Sequence, residues 1–310
     1  MRDQFASYLL EIMREDSRVI LLYGDIGNKL FDLIKDVFPE RAINCGVAEA
    51  NMVTVASGLA SEGFRPYVYT ISSFLYLKSL EQIKLDLCYP SLPVVLVGTG
   101  GGLSYSSLGT THHSLEDFAV LGSLPNINLY HPADVFEMKL CMERAHKYAG
   151  PSWIRIGKKD QEAAHKGPLE ISATSEILPI CVFSSPESAA AILSSGVALL
   201  ECIEAGKSLA IRGISVDVWS VPQLKPFPVE KISSLLEDYE RLVVVEEHVP
   251  LGGLGTRIES LSPRKAGFYL ATISSGDIFH FAAGEPGAAR KSIGQEREKI
   301  VSAVVEAISP

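Results

Sequence analysis

Three short stretches carry the side chains best suited to move protons or grip a ligand. In Gly46-Val47-Ala48-Glu49-Ala50-Asn51 a carboxylate stands where a helix of small residues is expected to begin. A glutamate there either serves the helix dipole or, when buried, keeps its proton and donates it. Gly109-Thr110-Thr111-His112-His113 places two adjacent imidazoles after a glycine turn. Neighbouring rings point apart on most backbones, so a shared metal ion would need further ligands. One ring beside the turn could instead bond a substrate or shuttle a proton near neutral pH, and the plain alternative is a pair of surface histidines. Gly98-Thr99-Gly100-Gly101-Gly102 follows an apolar run, but G-x-G-x-x-G is not completed and no helix opens on it, which argues against a dinucleotide site. Glu246, Glu247, His248 and His280 offer no i, i+3 or i, i+4 pair with a third ligand, so a metal centre is not expected in the second half.

These stretches need rigid elements behind them, and the apolar pattern supplies a regular alternation. Residues 4–14 show helical spacing, 19–23 strand, 30–37 helix, 42–44 strand, 51–62 helix, 66–70 strand, 75–88 helix, 92–98 strand, 115–121 helix, 128–130 strand, 133–148 helix and 152–156 strand. The pattern weakens across 163–186 and resumes with strands at 189–194, 214–220, 242–245 and 265–273 and helices at 196–205, 229–237, 253–261 and 296–308. Strands alternating with helices predict an α/β chain of two doubly wound domains, 1–162 and 187–310, joined by a linker at 163–186. The loop of about fifteen residues before Ser114 leaves the carboxyl end of a central strand, where open α/β sheets bind their ligands.

Composition narrows the function classes. The 310 residues carry a formal net charge of −9, so a polyanion is repelled and nucleic-acid binding is disfavoured. No apolar run approaches the ~20 residues of a membrane span, and no basic start leads into an apolar segment, so a soluble chain without a secretory leader is expected. Five scattered cysteines without a C-x-x-C pair suit reduced thiols in the cytoplasm.

The order of short motifs resembles one family. Gly24-Asp25, Gly46 to Asn51, Tyr69 to Leu75, Gly109 to His112, Leu124-Pro125-Asn126 and Tyr130 to Asp134 follow one another as in the pyrimidine-binding domain of transketolases. Leu224-Lys225-Pro226, Val244 to His248 and Gly252 to Gly255 are similar to the carboxy-terminal domain shared by transketolases, deoxyxylulose-phosphate synthases and beta subunits of 2-oxoacid dehydrogenases. The family's amino-terminal domain, with its G-D-G motif and downstream asparagine, has no counterpart here, since Gly24-Asp25-Ile26-Gly27-Asn28 lacks that spacing. The chain therefore resembles the carboxy-terminal subunit of a split transketolase.

That resemblance implies thiamine diphosphate as cofactor, with Mg2+ or another divalent ion held by a partner chain that carries the pyrophosphate-binding domain. It also implies a self-dimer within a heterotetramer and transfer of a two-carbon ketol unit from a ketose to an aldehyde or carrier-bound acceptor. Glu49 falls on the glutamate that bonds a pyrimidine nitrogen, a role that needs a neutral carboxyl. Phe74 falls on the aromatic side chain that stacks on the pyrimidine, with Tyr76 as a further aromatic contact and Asp25 facing the thiazolium. His112 falls on the histidine that contacts the donor sugar. Asn28, Lys29 and His113 would line the substrate channel, and Lys158, with Arg155 close by, would hold a phosphate. Leu108 stands where the family has an acid that reads a sugar hydroxyl, and His113 where it has glutamine, so the usual pentose phosphates are less secure as substrates. Two alternatives remain at this stage: a beta subunit of a 2-oxoacid decarboxylating or acyl-transferring complex, and a non-catalytic structural partner.

Overall fold

The computed structural model describes residues 1–27, 29–158, 162–169, 176–263, 266–281 and 284–309. The first half runs α1 (Arg2–Glu15), β1 (Val19–Tyr23), α2 (Asp32–Val37), β2 (Ala42–Asn44), α3 (Glu49–Ser61), β3 (Arg65–Ile71), α4 (Ser72–Lys78), α5 (Leu80–Gln82), β4 (Val95–Thr99), α6 (Asp117–Gly122), β5 (Asn128–Tyr130), α7 (Val135–Lys147) and β6 (Ser152–Ile156). The second runs β7 (Ile180–Phe183), β8 (Ala190–Ser194), α8 (Leu199–Ile211), β9 (Val216–Ser220), β10 (Gln223–Lys225), α9 (Val229–Asp238), β11 (Arg241–Val245), α10 (Leu254–Glu259), β12 (Tyr269–Ile273), α11 (Pro286–Ser292) and α12 (Arg297–Ile308).

Two sheets result, in the orders β10-β5-β6-β4-β3-β1-β2 and β12-β11-β8-β9-β7. Pairing is parallel except for β10 on β5 and β7 on β9. Both antiparallel strands escape the apolar pattern. Strand β7 lies within the stretch expected as linker, and β10 belongs to the second half of the sequence yet completes the first sheet. The helix expected over 75–88 is broken: α4 ends at Lys78, and Ile83–Cys88 forms a wider π turn.

Alternation along each strand sets the layers. In β1, Val19 and Leu21 face the cluster built with Phe5, Leu9 and Met13 of α1, while Ile20 and Leu22 face the other side. That second cluster does not stop at the domain edge. It continues from Leu22, Leu96 and Phe118 to Leu193, Leu224 and Val244, so the two sheets share one apolar core. Val243 and Val245 turn to a third cluster under α8 and α12. No described helix is long and apolar enough to cross a membrane.

Candidate active site

The carboxyl ends of β1, β2, β3 and β4 converge on one edge of the first sheet, as the doubly wound order demands. At the end of β2, Asn44 organises the turn: its Nδ2 donates to Asp25 Oδ1 at 3.3 Å and its Oδ1 accepts from the Gly46 N–H at 2.9 Å. Gly46 has φ +70°, a left-handed conformation that glycine adopts without strain, and the chain turns there into α3. Glu49 is the first residue of α3 and is only 5 % exposed.

Helix α4 leaves β3 without a connecting loop, so Phe74 stands in its first turn. Phe74 and Lys78 are four residues apart and therefore share a helix face. The Lys78 ammonium lies 4.4 Å from the Phe74 ring centroid and 3.2 Å from Glu49 Oε2. Lys78 is half-exposed, whereas its carboxylate partner is buried.

The loop after β4 brings the histidine. Gly102 and Ser114 exchange two backbone hydrogen bonds of 3.0 Å, closing the loop at its base. His112 donates its backbone N–H to the Gly109 carbonyl at 3.0 Å, and its ring meets Phe74 edge-on with centroids 4.9 Å apart. Thr111 Oγ1 lies 2.9 Å from His112 Nδ1. Tyr105 flanks the same ring at 5.8 Å, and Lys158 holds its ammonium 4.5 Å from the Tyr105 centroid. Partial burial, and then the Lys158 charge, lower the His112 pKa, which favours the neutral ring at physiological pH. Glu49, Lys78, Phe74, His112, Tyr105 and Lys158 thus form one continuous series of contacts across the strand ends.

The glycine run beneath this loop has a packing cause. A Cβ on Gly100 would lie 1.9 Å from the Tyr105 ring, one on Gly101 2.3 Å from Arg155, and one on Gly102 1.9 Å from Glu247 Oε2. The run lets the chain leaving β4 pass close to Tyr105 and over a buried ionic cluster. Arg155 is 1 % exposed, and its guanidinium donates to Asp117 Oδ1 at 3.0 Å and to the Glu247 carbonyl at 2.7 Å. Trp153 donates to the other Asp117 oxygen, and Arg290 of α11 pairs with Glu247 Oε1. Burial pushes the Asp117 pKa up, and the adjacent Arg155 charge opposes it.

Several expected site residues stand elsewhere. Arg155 is sealed in this cluster between the domains, with its terminal nitrogens committed to Asp117 and the Glu247 carbonyl. Tyr76 is fully buried, donates to Glu116 Oε2 at 2.9 Å and packs on Trp153, so it belongs to the core rather than to a ligand contact. His113 is buried beside His112, and neither of its ring nitrogens has a partner among the described residues. Asp25 does stay at the strand ends, exposed after β1 and bonded by Asn44, whereas Lys29 is exposed in a depression with Arg2 and Asp3 between α1 and α2. Asn28 lies outside the described residues. Among the described residues, no group of three or more His, Cys, Asp or Glu side chains is placed to hold a metal ion.

Sequence reasoning passed over Lys78 and Tyr105. The first had a legible signal, the i, i+4 spacing from Phe74 on an expected helix. Tyr105 had none, since its place depends on how the glycine loop folds back. The Tyr130 to Asp134 motif proves structural: His131 Nδ1 lies 3.0 Å from Ser195 Oγ across the domain interface, and Asp134 caps α7 through the Phe136 and Glu137 N–H groups.

Comparison with known proteins agrees with this architecture. The family description "Transketolase, pyrimidine binding domain" matches residues 1–162, and "Transketolase, C-terminal domain" matches residues 181–292. The chain is 31 % identical over 282 residues to an apulose-4-phosphate transketolase subunit from Phocaeicola vulgatus, covering 90 % of this chain and 89 % of that one. It is 28 % identical over 259 residues to the 6-deoxy-6-sulfo-D-fructose transketolase subunit SqwH of a Clostridium species, covering 83 % and 78 % of the two chains. Among solved structures, a split gene transketolase described as an inactive beta4 tetramer superimposes with a TM-score of 0.84 at 26 % identity, covering 99 % of this chain and 97 % of that one.

Proposed function

The chain belongs to the transketolase family, and from that membership we propose that it is the carboxy-terminal subunit of a split transketolase, transferring a two-carbon ketol unit from a ketose to an aldehyde acceptor. The observation that carries this reading is the assembly of Glu49, Phe74 and His112 around one group of parallel strand ends. We further propose that an amino-terminal partner subunit supplies the pyrophosphate site and its divalent ion, and that two copies of each chain form a heterotetramer. Val47, two residues before Glu49, and Leu77, next to Lys78, are 75 % and 58 % exposed and give another chain an apolar rim to cover.

Membership of the family implies dependence on thiamine diphosphate, which when bound supplies a carbon nucleophile for the ketose carbonyl. The residues fit its pyrimidine half: a buried carboxyl partnered by a swingable lysine, beside a half-open aromatic face. In this reading Glu49 bonds a pyrimidine nitrogen and promotes its deprotonation chemistry, and Phe74 stacks on the ring. Asp25 faces the thiazolium, and neutral His112 faces the substrate, where its ring accepts or donates the proton of a sugar hydroxyl. Lys158, beside Tyr105, offers a cation to an anionic sugar terminus such as the phosphate or sulfonate in the names of the two relatives. Leu108 is half-exposed and apolar, and reads no hydroxyl there. The five thiols are free, in keeping with a cytoplasmic location.

The test is co-expression with a candidate partner chain, followed by assay of ketol transfer with and without thiamine diphosphate and Mg2+. Transfer that requires both chains and the cofactor supports the reading, and Glu49→Gln should then lower turnover by ~10²–10⁴-fold. Near-normal turnover of that variant would remove Glu49 from the chemistry.

A further inference from the structure

Two groups assigned above to the cofactor ring, the Glu49 carboxyl and the open face of Phe74, already share a ligand within the chain. The Lys78 ammonium is 3.2 Å from Glu49 Oε2 and 4.4 Å from the Phe74 centroid. Helix geometry makes this no accident of a surface side chain: Lys78 closes α4 one turn beyond Phe74 on the same face, and α3 presents Glu49 from its first residue. Resting on the proposed role of Glu49 and Phe74, we propose that Lys78 is an internal occupant of the pyrimidine seat, which fills it in the free subunit and must swing out when the cofactor ring enters.

Chemistry makes the two occupants exclusive. A carboxylate paired with an ammonium only accepts hydrogen bonds, whereas bonding a pyrimidine nitrogen that lacks a proton requires the carboxyl to donate one. An ammonium over the face of Phe74 likewise takes the attraction that a stacked ring would use. Lys78 can yield because it is half-exposed on a flexible four-carbon stem, and its head can move into water while the stem stays on the helix. The device keeps a buried carboxylate partnered before assembly and makes cofactor capture compete with an intramolecular ligand.

The experiment titrates the full chain, without partner, with thiamine and with 4-amino-5-hydroxymethyl-2-methylpyrimidine, reading dissociation constants by ligand-observed NMR. Lys78→Met keeps the stem and removes the charge, and it should bind both probes about tenfold more tightly than the parent. That ratio corresponds to about 1.4 kcal/mol, in the range of one half-exposed ion pair together with one cation–π contact. Lys78→Arg should stay near the parent, and Lys78→Gln should follow Lys78→Met if the latter folds poorly. Equal or weaker binding by both neutral variants, or no binding by any of them, overturns the proposal. Glu49→Gln in the Lys78→Met background separates it from the reading beneath: if that double variant binds the probes as Lys78→Met does, Glu49 is not the pyrimidine residue. If it weakens binding while the neutral Lys78 variants do not strengthen it, the internal occupant alone is refuted.

Discussion

Replacing Arg155 by methionine distinguishes a structural cation from a substrate-binding one. The substitution preserves most of the stem volume but strands Asp117, which is fully buried, and leaves the Glu247 carbonyl without its 2.7 Å donor. Removing one member of a buried ion pair costs ~3–5 kcal/mol, because the remaining charge has no compensation. With an unfolding entropy of ~2.1 cal/mol/K per residue, a chain of 310 residues that melts as one unit should lose about 5–8 °C in Tm. The shared apolar core between the sheets supports such joint melting. Circular dichroism melts and urea titrations of parent and Arg155→Met, at one protein concentration, measure the effect. Asp117→Asn in the Arg155→Met background removes the stranded charge and should recover part of the loss, since the Trp153 indole can still donate to the amide oxygen. A Tm shift below about 2 °C, combined with a raised KM for an anionic sugar in the assembled enzyme, would refute the argument and return Arg155 to the substrate site.

Two further outcomes follow from buried geometry. Gly196 has φ +62°, and a Cβ there would fall 2.0 Å from His131 Nε2, so Gly196→Ala should destabilise the chain by more than ~2 kcal/mol. An unchanged urea midpoint would contradict this. Burial pushes the Glu246 pKa from 4.5 up to about 7, so the folded state holds a proton that the unfolded state releases. Stability from this group is present below pH 4.5 and is lost as pH rises through about 7. Glu246→Gln keeps an acceptor for the Leu254 or Gly255 N–H, and it should flatten the decline of Tm between pH 5 and pH 8 relative to the parent. An identical slope in the two proteins would show that Glu246 does not carry the effect.

What could be read in advance followed from local pattern. Strands β1, β2, β5 and β6 occupy the residues where the apolar pattern puts them, because each is a short run bounded by turn residues. Strands β7 and β10 were invisible, since three or four residues pair only through partners distant in sequence, and β10 finds its partner in the other half of the chain. Orientation was the harder question at the site. All five residues of β6 are buried, so alternation gives no reason to place Arg155 inward or outward, and a cation near the strand end passes for a ligand contact. Tyr76 raises the same question, as aromatic residues two positions apart on a helix face opposite ways and only Phe74 turns to the strand ends. Glu49 and His112 were legible because motif order, rather than any single spacing, singled them out.

Strand β10 has a consequence for how the protein is made. Until residue 225 has left the ribosome, the first sheet ends at β5, a three-residue strand whose outer edge, away from β6, has its backbone groups unpaired. Synthesis adds ~5–20 residues per second, so several seconds separate the emergence of β6 from that of the strand that shields this edge. During that interval the nascent first half is open to pairing with another chain, and a truncation placed between the two domains would make that interval permanent.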